Sequence, residues 1–171
     1  YRELAKSNSV VAIGEIGLDY FHKPFDAVKQ KKIFLQQLDL SKELDLPLII
    51  HCRMAHDEMI EILQARQQKG VIHCFTGTLE QAKKYVELGF YLGINGIIFK
   101  FNIDEVIRNI PLEHLLLETD CPYLTPPMAE GKRNEPIFMK HTIQKIAELK
   151  NISAGEVGKK TTENAKKLFN I

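Results

Sequence analysis

An α/β fold built on a parallel sheet is predicted by two features of this 171-residue sequence. Short apolar runs rich in β-branched residues alternate with longer segments that have the apolar periodicity of helices. The runs are apolar on both faces, as is typical of parallel strands covered by helices on both sides. Parallel strands need crossover helices, so the alternation is compatible with two folds, a doubly wound sheet and a (β/α) barrel. The five runs are Val10–Ile13, Leu48–Ile50, Val71–Ile72, Tyr91–Ile94 and Leu115–Leu117.

Start and stop signals delimit the longest helical segment, between the first two runs. It begins at Asp26, a residue type favoured at N-caps, and ends at Leu46, before Pro47. Its spacing predicts an apolar stripe that faces the sheet, formed by Ile33, Phe34, Leu38 and Leu44.

Two further helices have capping signals of their own. Thr78 with Gln81 forms a capping-box pattern, and Ser153 with Glu156 forms another. The stretch Pro122–Pro136 is rich in proline and glycine and predicts a long surface loop.

Composition indicates a single globular domain, residues 1–171, with a net charge of +1. This charge gives no basic excess, so any nucleic-acid contact has to be local. No apolar run approaches the roughly 20 residues of a membrane span, and no signal peptide opens the sequence. The three cysteines form no disulfide framework. These features predict a cytoplasmic protein without membrane contact, for which a monomer is the favoured state.

Four of the five runs are followed by a residue that can bind a metal ion, namely Glu15, His51, His73 and Asp120. In parallel α/β folds the carboxyl ends of the strands form the functional edge, so these side chains are expected to converge. Two carboxylates and two imidazoles suit zinc, manganese or magnesium, and two such ions can hold both oxygens of an in-line displacement. Each residue alone has an ordinary structural explanation. The coincidence across four runs predicts a metal site.

Cysteines follow both histidines directly. Successive residues of a strand face opposite ways, so inward histidines place Cys52 and Cys74 against the covering helices. We expect both as buried small apolar residues and not as metal ligands. Cys121, beside Asp120, has no base placed to activate it. No Gly-x-Ser-x-Gly or Walker-type loop occurs, which gives acyl transfer and nucleotide binding no support.

Five motifs occur along the chain in one order: GEIGLDY (Gly14–Tyr20), IHCR (Ile50–Arg53), HCFTG (His73–Gly77), LLLETDCPYL (Leu115–Leu124) and KRNEP (Lys132–Pro136). Together they resemble the TatD family of metal-dependent DNases, and the resemblance extends over essentially the whole chain. It implies a parallel (β/α) TIM-type barrel of the amidohydrolase superfamily. It also implies a cytosolic hydrolase that uses divalent metal ions, two per complete site, to cleave DNA phosphodiester bonds.

The resemblance further implies roles for individual residues. Glu15 is expected to bridge two metal ions, His51 and His73 to bind one of them, and Asp120 to bind metal and orient the attacking water. Glu15 and Asp120 are therefore the expected catalytic residues. Asp19, Arg53, His56, Glu118, Arg133 and Asn134 also fall in motifs of the family, His56 three residues after IHCR. Contacts to the DNA substrate are expected from Arg53, Lys100, Arg133 and Asn134.

The sequence departs from the family pattern at its N-terminal side. Family members begin with a His-x-His strand and continue to a Gly-x-His-Pro motif, whereas here no histidine precedes His22. Tyr1–Lys6 has the character of a helix end. We therefore expect the C-terminal five strand–helix units of an eight-unit barrel, without its strands 1–3. For this chain alone we expect at most one tightly bound ion and nuclease activity near background.

Three functions remain open at this point. The first is a two-metal deoxyribonuclease. The second is hydrolysis of a small amide or ester, which a carbamylated lysine between the metals would favour, but the bridging position holds Glu15. The third is a catalytically incompetent barrel fragment, retained as a fold or a partner-binding unit, which the missing His-x-His favours.

Overall fold

Strands and helices alternate throughout the computed structural model, which describes residues 2–7, 9–131 and 133–171. Its strands are β1 (Ile13–Asp19), β2 (Leu48–Arg53), β3 (Gly70–His73), β4 (Tyr91–Ile94) and β5 (Leu115–Leu117). Its α-helices are α1 (Arg2–Ala5), α2 (Ala27–Leu44), α3 (His56–Gln64), α4 (Leu79–Glu87), α5 (Asp104–Asn109), α6 (Met139–Lys150) and α7 (Ala154–Phe169). Short 3₁₀ turns cover Gly96–Phe99, Leu112–His114 and Pro136–Phe138.

The five strands form one parallel sheet in the order β1-β2-β3-β4-β5. Each crossover therefore moves one strand further in the same direction. A doubly wound sheet would reverse direction at a switch point, and this order has no reversal. The predicted parallel α/β fold is confirmed, and its strand order is that of a (β/α) barrel. The described residues form a five-stranded sheet, which by itself does not confirm the expected fragment of eight units.

The two faces of the sheet are packed differently. The helix-facing side carries the larger core, in which strand residues such as Leu48, Ile50 and Ile72 meet Phe34 and Leu38 of α2. A smaller cluster covers the opposite face and consists of Val71, Tyr91, Leu116 and Leu168. Because strand side chains alternate, the imidazoles of β2 and β3 share the face of this smaller cluster. The sheet thus separates the main core from the predicted site.

Helix α2 follows the predicted signals closely. Its N-cap Asp26 accepts a hydrogen bond from the Lys29 backbone N–H at 2.9 Å. Phe34 and Leu38 of the predicted stripe are fully buried, whereas Ile33 is exposed beside the edge strand β1. Ile33 lies one residue, or about 100°, away from the buried row, which rotates it past the edge of the sheet. Within the described residues no helix combines the length and the apolar character that crossing a bilayer requires.

The other local signals are confirmed as well. Thr78 and Gln81 make a reciprocal capping box at the start of α4. Ser153 caps α7 by accepting a hydrogen bond from the Glu156 backbone N–H at 3.1 Å, which is the Ser153 half of the predicted capping box. The described residues of the loop predicted over Pro122–Pro136 form no helix or strand before the 3₁₀ turn that begins at Pro136, and Lys132 lies outside the described residues.

The prediction for the first strand was wrong in its position. Strand β1 starts at Ile13, where the predicted run ends, and continues to Asp19, so that Glu15 lies inside it. Gly17 pairs with His51 and has φ +150°, and a Cβ there would lie 1.9 Å from the His51 carbonyl oxygen. Only glycine allows this close approach of the two backbones. Glycines stand in β1 where an apolar alternation would have apolar side chains. The apolar pattern therefore did not predict this segment as a strand.

A buried polar cluster lies between β2 and α4. The Tyr85 hydroxyl contacts His56 Nδ1 at 3.1 Å and lies 3.8 Å from Cys52 Sγ. The His56 ring, 8% exposed, also packs against Phe75. Its Nε2 has no partner among the described residues. Burial lowers the pKa of His56 from 6.5 to about 4, because the charged imidazolium would lose its hydration there.

This cluster predicts a specific weakness at acid pH. His56 is neutral in the fold and protonates near pH 6.5 when unfolded, so stability is lost as pH falls from 6.5 to about 4. His56→Phe removes the titrating group and keeps a ring in place. Between pH 7 and pH 4 the free energy of unfolding should fall by up to about 3 kcal/mol more in the wild type than in this variant. Urea unfolding across this range measures it, and the difference at pH 8 gives the packing cost alone. Parallel pH profiles for the two proteins would contradict this account of His56.

Candidate metal centre

The four residues predicted as metal ligands line one cavity at the carboxyl ends of the strands. Its volume is about 510 Å³. Besides Glu15, His51, His73 and Asp120, it is lined by Phe21, Cys52, Arg53, Met54, Cys74, Thr76, Ile97, Phe101 and Leu124. The structure therefore brings together all four side chains that the strand-end pattern selected.

The register of the sheet sets the relative positions of the two imidazoles. His51 and His73 are directly paired residues of β2 and β3. In a sheet, directly paired residues project from the same face. Glu15 lies on the neighbouring strand β1, and its Oε1 lies 2.8 Å from His51 Nδ1, so its side chain reaches the same face. Asp120 follows β5 after two residues and reaches the cavity from the loop.

His51 is held between two carboxylates of β1. Its Nδ1 lies 2.8 Å from Glu15 Oε1, and its Nε2 lies 3.1 Å from Asp19 Oδ2. Glu15 lines the cavity, whereas Asp19 does not. Asp19 is itself fixed by accepting a hydrogen bond from the Phe21 backbone N–H at 2.9 Å. His51 Nε2 is thus held by a carboxylate outside the cavity, whereas Nδ1 faces a carboxylate that lines the cavity.

His73 has the same arrangement with different partners. Its Nδ1 contacts Glu118 Oε2 at 2.8 Å, and its Nε2 faces Asp120 Oδ1 at 3.8 Å. The other oxygen of Glu118 accepts hydrogen bonds from the Cys74 backbone N–H at 2.6 Å and from Asn95 Nδ2 at 3.0 Å. Gly93 leaves room for this carboxylate, since a Cβ there would lie 2.5 Å from Glu118 Oε2. Glu118 therefore orients the His73 ring from outside the cavity.

The carboxylates shift the pKa values of both imidazoles. The hydrogen bond to Glu15 outweighs burial and raises the pKa of His51, with Asp19 contributing to the same effect. Burial opposes protonation of His73, but Glu118, Glu15 and Asp120 outweigh it and raise its pKa to about 9. In the same way, the hydrogen bond from His51 lowers the pKa of Glu15. Without a metal ion, protons supply the positive charge that the carboxylates require.

The donor set fits a divalent metal ion in type and in direction. Metal-binding histidines usually donate their second N–H to a carboxylate, which fixes the ring and its tautomer. Asp19 and Glu118 stand in that position for His51 and His73. In the described part of the chain, no three histidine, cysteine or acidic side chains are already gathered around a single metal position. Glu15 and Asp120 face the imidazoles in pairs, so small side-chain movements would be needed to surround an ion.

Backbone conformation also distinguishes this cavity. Four of its lining residues other than glycine have φ between +46° and +57°: Met54, Cys74, Asp120 and Leu124. Outside the site, residues with positive φ such as Asp45, Asn151 and Asn170 are the C-caps of helices, where this conformation is ordinary. Residues in sparsely populated conformations concentrate at functional sites because they aim side chains that a regular strand could not.

The two cysteines that follow the histidines behave differently. Both contribute to the lining of the cavity, but their thiols have different partners. Cys52 is buried, with its thiol 3.8 Å from the Tyr85 hydroxyl of α4, as predicted for the helix-facing side, and burial raises its pKa to about 11. Cys74 was predicted on that side too, but its thiol lies 3.7 Å from Asn95 Oδ1. The positive φ of Cys74 ends strand β3 and breaks the alternation on which the prediction depended. Burial raises the pKa of the Cys74 thiol to about 11, which keeps it protonated.

The residues predicted to contact substrate are scattered. Arg53 lines the cavity, with its guanidinium 3.7 Å from the centre of the Phe21 ring. Lys100 and Arg133 are exposed and do not line the cavity. Asn134 is 3% exposed, and its amide donates hydrogen bonds to the Thr119 and Tyr123 carbonyls at 2.7 and 2.6 Å. This amide therefore holds the loop after β5, and a substrate contact of Asn134 stays a prediction.

One residue that supports Glu118 was not predicted from the sequence. Asn95 directly follows β4, the one predicted strand without a metal-capable residue at its end. It is fully buried, donates to Glu118 and accepts a hydrogen bond from the Ile97 backbone N–H at 2.9 Å. Its position after a strand was the available signal, but a neutral amide was not among the residue types sought. His56, three residues after the second motif, lies in the buried cluster under β2 and not in the cavity.

Comparison with known proteins gives one consistent family. The sequence model described as TatD related DNase matches residues 1–170. The chain is 44% identical over 176 residues to the uncharacterized metal-dependent hydrolase YabD of Bacillus subtilis, covering 99% of this chain and 69% of that protein. It is 42% identical to the 3'-5' ssDNA/RNA exonuclease TatD of a Pantoea species, covering 99% of this chain and 70% of that protein.

The fold has a close structural counterpart. The crystal structure of YJJV, a TatD homolog from Escherichia coli, superposes with a TM-score of 0.88 at 35% identity. The match covers 95% of this chain and 64% of that one. This chain spans roughly two thirds of the length of its relatives. The expected loss of the family's first three strands is not confirmed, since the family model and the relatives match from one end of this chain to the other. The expected impairment of activity likewise has no support in these matches.

The support that Asn95 gives to Glu118 can be tested through metal affinity. Asn95→Leu removes one of the two donors that hold Glu118 Oε1. Loss of such an outer partner should weaken binding of Zn²⁺ or Mn²⁺ by about 10- to 100-fold in calorimetry. The matched control is Asn164→Leu, since Asn164 is a buried amide that donates to the Leu112 and Leu115 carbonyls. That variant should lose stability and keep its metal affinity. Equal affinity losses in both variants would mean that Asn95 acts only on folding.

Proposed function

Because this chain belongs to the TatD related DNase family, we propose that it hydrolyses phosphodiester bonds of nucleic acid with divalent metal ions. The observation that carries the proposal is the paired arrangement of both imidazoles. His51 and His73 each have one nitrogen anchored by an outer carboxylate and the other facing a carboxylate of the cavity. A metal-binding histidine usually donates its second N–H to an outer partner such as a carboxylate, and Asp19 and Glu118 match that arrangement.

Four residues of this chain would hold the metal: Glu15, His51, His73 and Asp120. A bound divalent ion would polarise a phosphoryl oxygen and make water a nucleophile near neutral pH, and a second would support the leaving oxygen. Glu15 interacts with both imidazoles. It makes a hydrogen bond with His51, and its charge helps to raise the pKa of His73. This position suits a carboxylate that serves two ions. Mg²⁺, Mn²⁺ and Zn²⁺ are all compatible with the donor types.

The charge balance of the site explains why metal ions are needed. Glu15, Asp19, Glu118 and Asp120 surround only two imidazoles. A phosphodiester would be repelled from such a site without added positive charge. Arg53 at the rim is the cavity's guanidinium and is placed to meet a flanking phosphate. Asp120 faces the open side of His73 and is proposed to accept a proton from the attacking water and to orient it.

Single-stranded DNA is the proposed substrate, and RNA is the nearest alternative. Relatives named 3'-5' ssDNA/RNA exonuclease are 39–42% identical to this chain. Hydrolysis of a small amide or ester is less well supported, because the described residues that line the cavity include no lysine that could be carbamylated between metals. A cytoplasmic location and a monomeric state stay predictions.

The role of Asp120 predicts a particular kinetic defect. Asp120→Asn keeps the shape of the side chain but removes the proton acceptor. At saturating Mn²⁺, kcat for cleavage of a single-stranded oligonucleotide should fall by about 100-fold or more, with little change in KM. Asp104→Asn, on α5 and paired with Lys145 at 3.3 Å, is the matched control and should cleave like the wild type. A raised KM with unchanged kcat would show that Asp120 only binds substrate.

The raised pKa values of the imidazoles predict the pH dependence of metal binding. An imidazole must be neutral to bind a metal ion, and the pKa of His73 is about 9. Protons therefore compete with the metal below that pH, and affinity should rise steadily from pH 6 to about pH 9. Calorimetry in buffers of different ionisation enthalpy should show net proton release at pH 7. Metal binding that is independent of pH over this range would exclude both histidines as ligands.

A further inference from the structure

Two exposed phenylalanine rings stand at the mouth of the cavity. Phe21 is 49% exposed and Phe101 is 54% exposed, and both line the cavity that holds the four candidate ligands. Met54 is also exposed and lies in the same lining. Single exposed apolar side chains are common on protein surfaces, but several that share the rim of one polar cavity indicate a binding surface.

Strand order places the two rings on opposite sides of the two imidazoles. Phe21 follows β1 and Phe101 follows β4, while the imidazoles of His51 and His73 lie on the two strands between. Three strand spacings separate β1 from β4, or roughly 14 Å at about 4.8 Å each. A stacked single strand advances about 3.4 Å per nucleotide, so a span on this order accommodates about four nucleotides.

The charge around the rings suits a polyanion whose bases are free. The Arg53 guanidinium lies 3.7 Å from the centre of the Phe21 ring, and its Nη1 is 3.3 Å from His22 Nε2. These contacts hold a cation beside an aromatic surface at the rim of the cavity. Proteins that bind single-stranded nucleic acid combine these two elements, with cations on the phosphates and aromatic rings under the bases. A small apolar ester would use the rings but would leave Arg53 without an anion to meet.

We infer that Phe21 and Phe101 form a two-sided stacking clamp for unpaired bases, which selects single-stranded nucleic acid and sets its phosphodiester over the metal ligands. The inference rests on the proposed function for the position of the cleaved bond. The clamp itself needs only base recognition. A duplex buries its bases against one another and offers them to neither ring, so the clamp discriminates against double strands.

The test compares an intact oligonucleotide with one whose bases have been removed. Fluorescence anisotropy is measured with labelled eight-nucleotide single strands in Ca²⁺, with the integrity of the strands checked on a denaturing gel. The variants are Phe21→Leu and Phe101→Leu, which keep an apolar side chain without an aromatic face. Tyr123→Leu is the matched control, because Tyr123 is 71% exposed and does not line the cavity.

If the rings stack on bases, each phenylalanine variant should weaken binding only when the strand carries bases. Each phenylalanine variant should bind the intact strand about 5- to 100-fold more weakly than the wild type does, and the control should bind like the wild type. On the abasic strand, which has nothing to stack, the wild type and both variants should bind almost equally. Equal losses on intact and abasic strands would overturn the clamp, as would failure of the wild type to bind the intact strand or duplex binding as tight as single-strand binding.

The same proteins separate this inference from the proposed function. Cleavage of the intact strand is measured in Mn²⁺. A wild type that distinguishes intact from abasic strands through both rings, but cleaves neither, would overturn the proposed hydrolysis and leave the clamp in place. A wild type that cleaves the strand, with equal effects of the variants on both substrates, would overturn the clamp alone.

Discussion

The direct pairing of His51 with His73 across β2 and β3 is the constraint on which the candidate site depends. It places two imidazoles on adjacent strands, on one face and at one edge of the sheet. A slip by one residue would turn either side chain into the helix-facing core. The apolar residues Ile50 and Ile72, each one position earlier, hold the register because they are fully buried on that side. Packing on one face therefore fixes the chemistry on the other.

Electrostatics then determine what the site can bind. The carboxylates that raise the pKa values of His51 and His73 are the same groups that would attract a divalent cation. Proton affinity and metal affinity thus have one origin, and the metal-free state keeps its charge balance by holding protons. Glu118 contributes from outside the cavity, and its own position depends on Asn95 and on the missing side chain of Gly93. The arrangement of the site extends one layer beyond the candidate ligands.

Local signals in the sequence predicted the later strands and the helix starts, because caps and apolar runs act over a few residues. They misplaced β1, where Gly17 serves a contact with the distant His51 backbone that no local pattern contains. The pattern of residues after the predicted strands identified four residues that line the cavity, since parallel strands share one edge. The orientation of the Asn134 amide could not be predicted from the sequence, because membership in a motif does not say whether an amide faces solvent or its own loop.

Strain and stability lie on different sides of the sheet. Met54, Cys74, Asp120 and Leu124 line the cavity in left-handed conformations, each of which costs on the order of 1–3 kcal/mol. The largest fully buried side chains, among them Tyr85, Phe34 and Phe75, belong instead to the helix-facing core. Core packing can therefore offset the strained backbone without taking part in the chemistry. Because the strained residues follow the strand ends, they turn side chains into the cavity at points where regular strand alternation would direct them elsewhere.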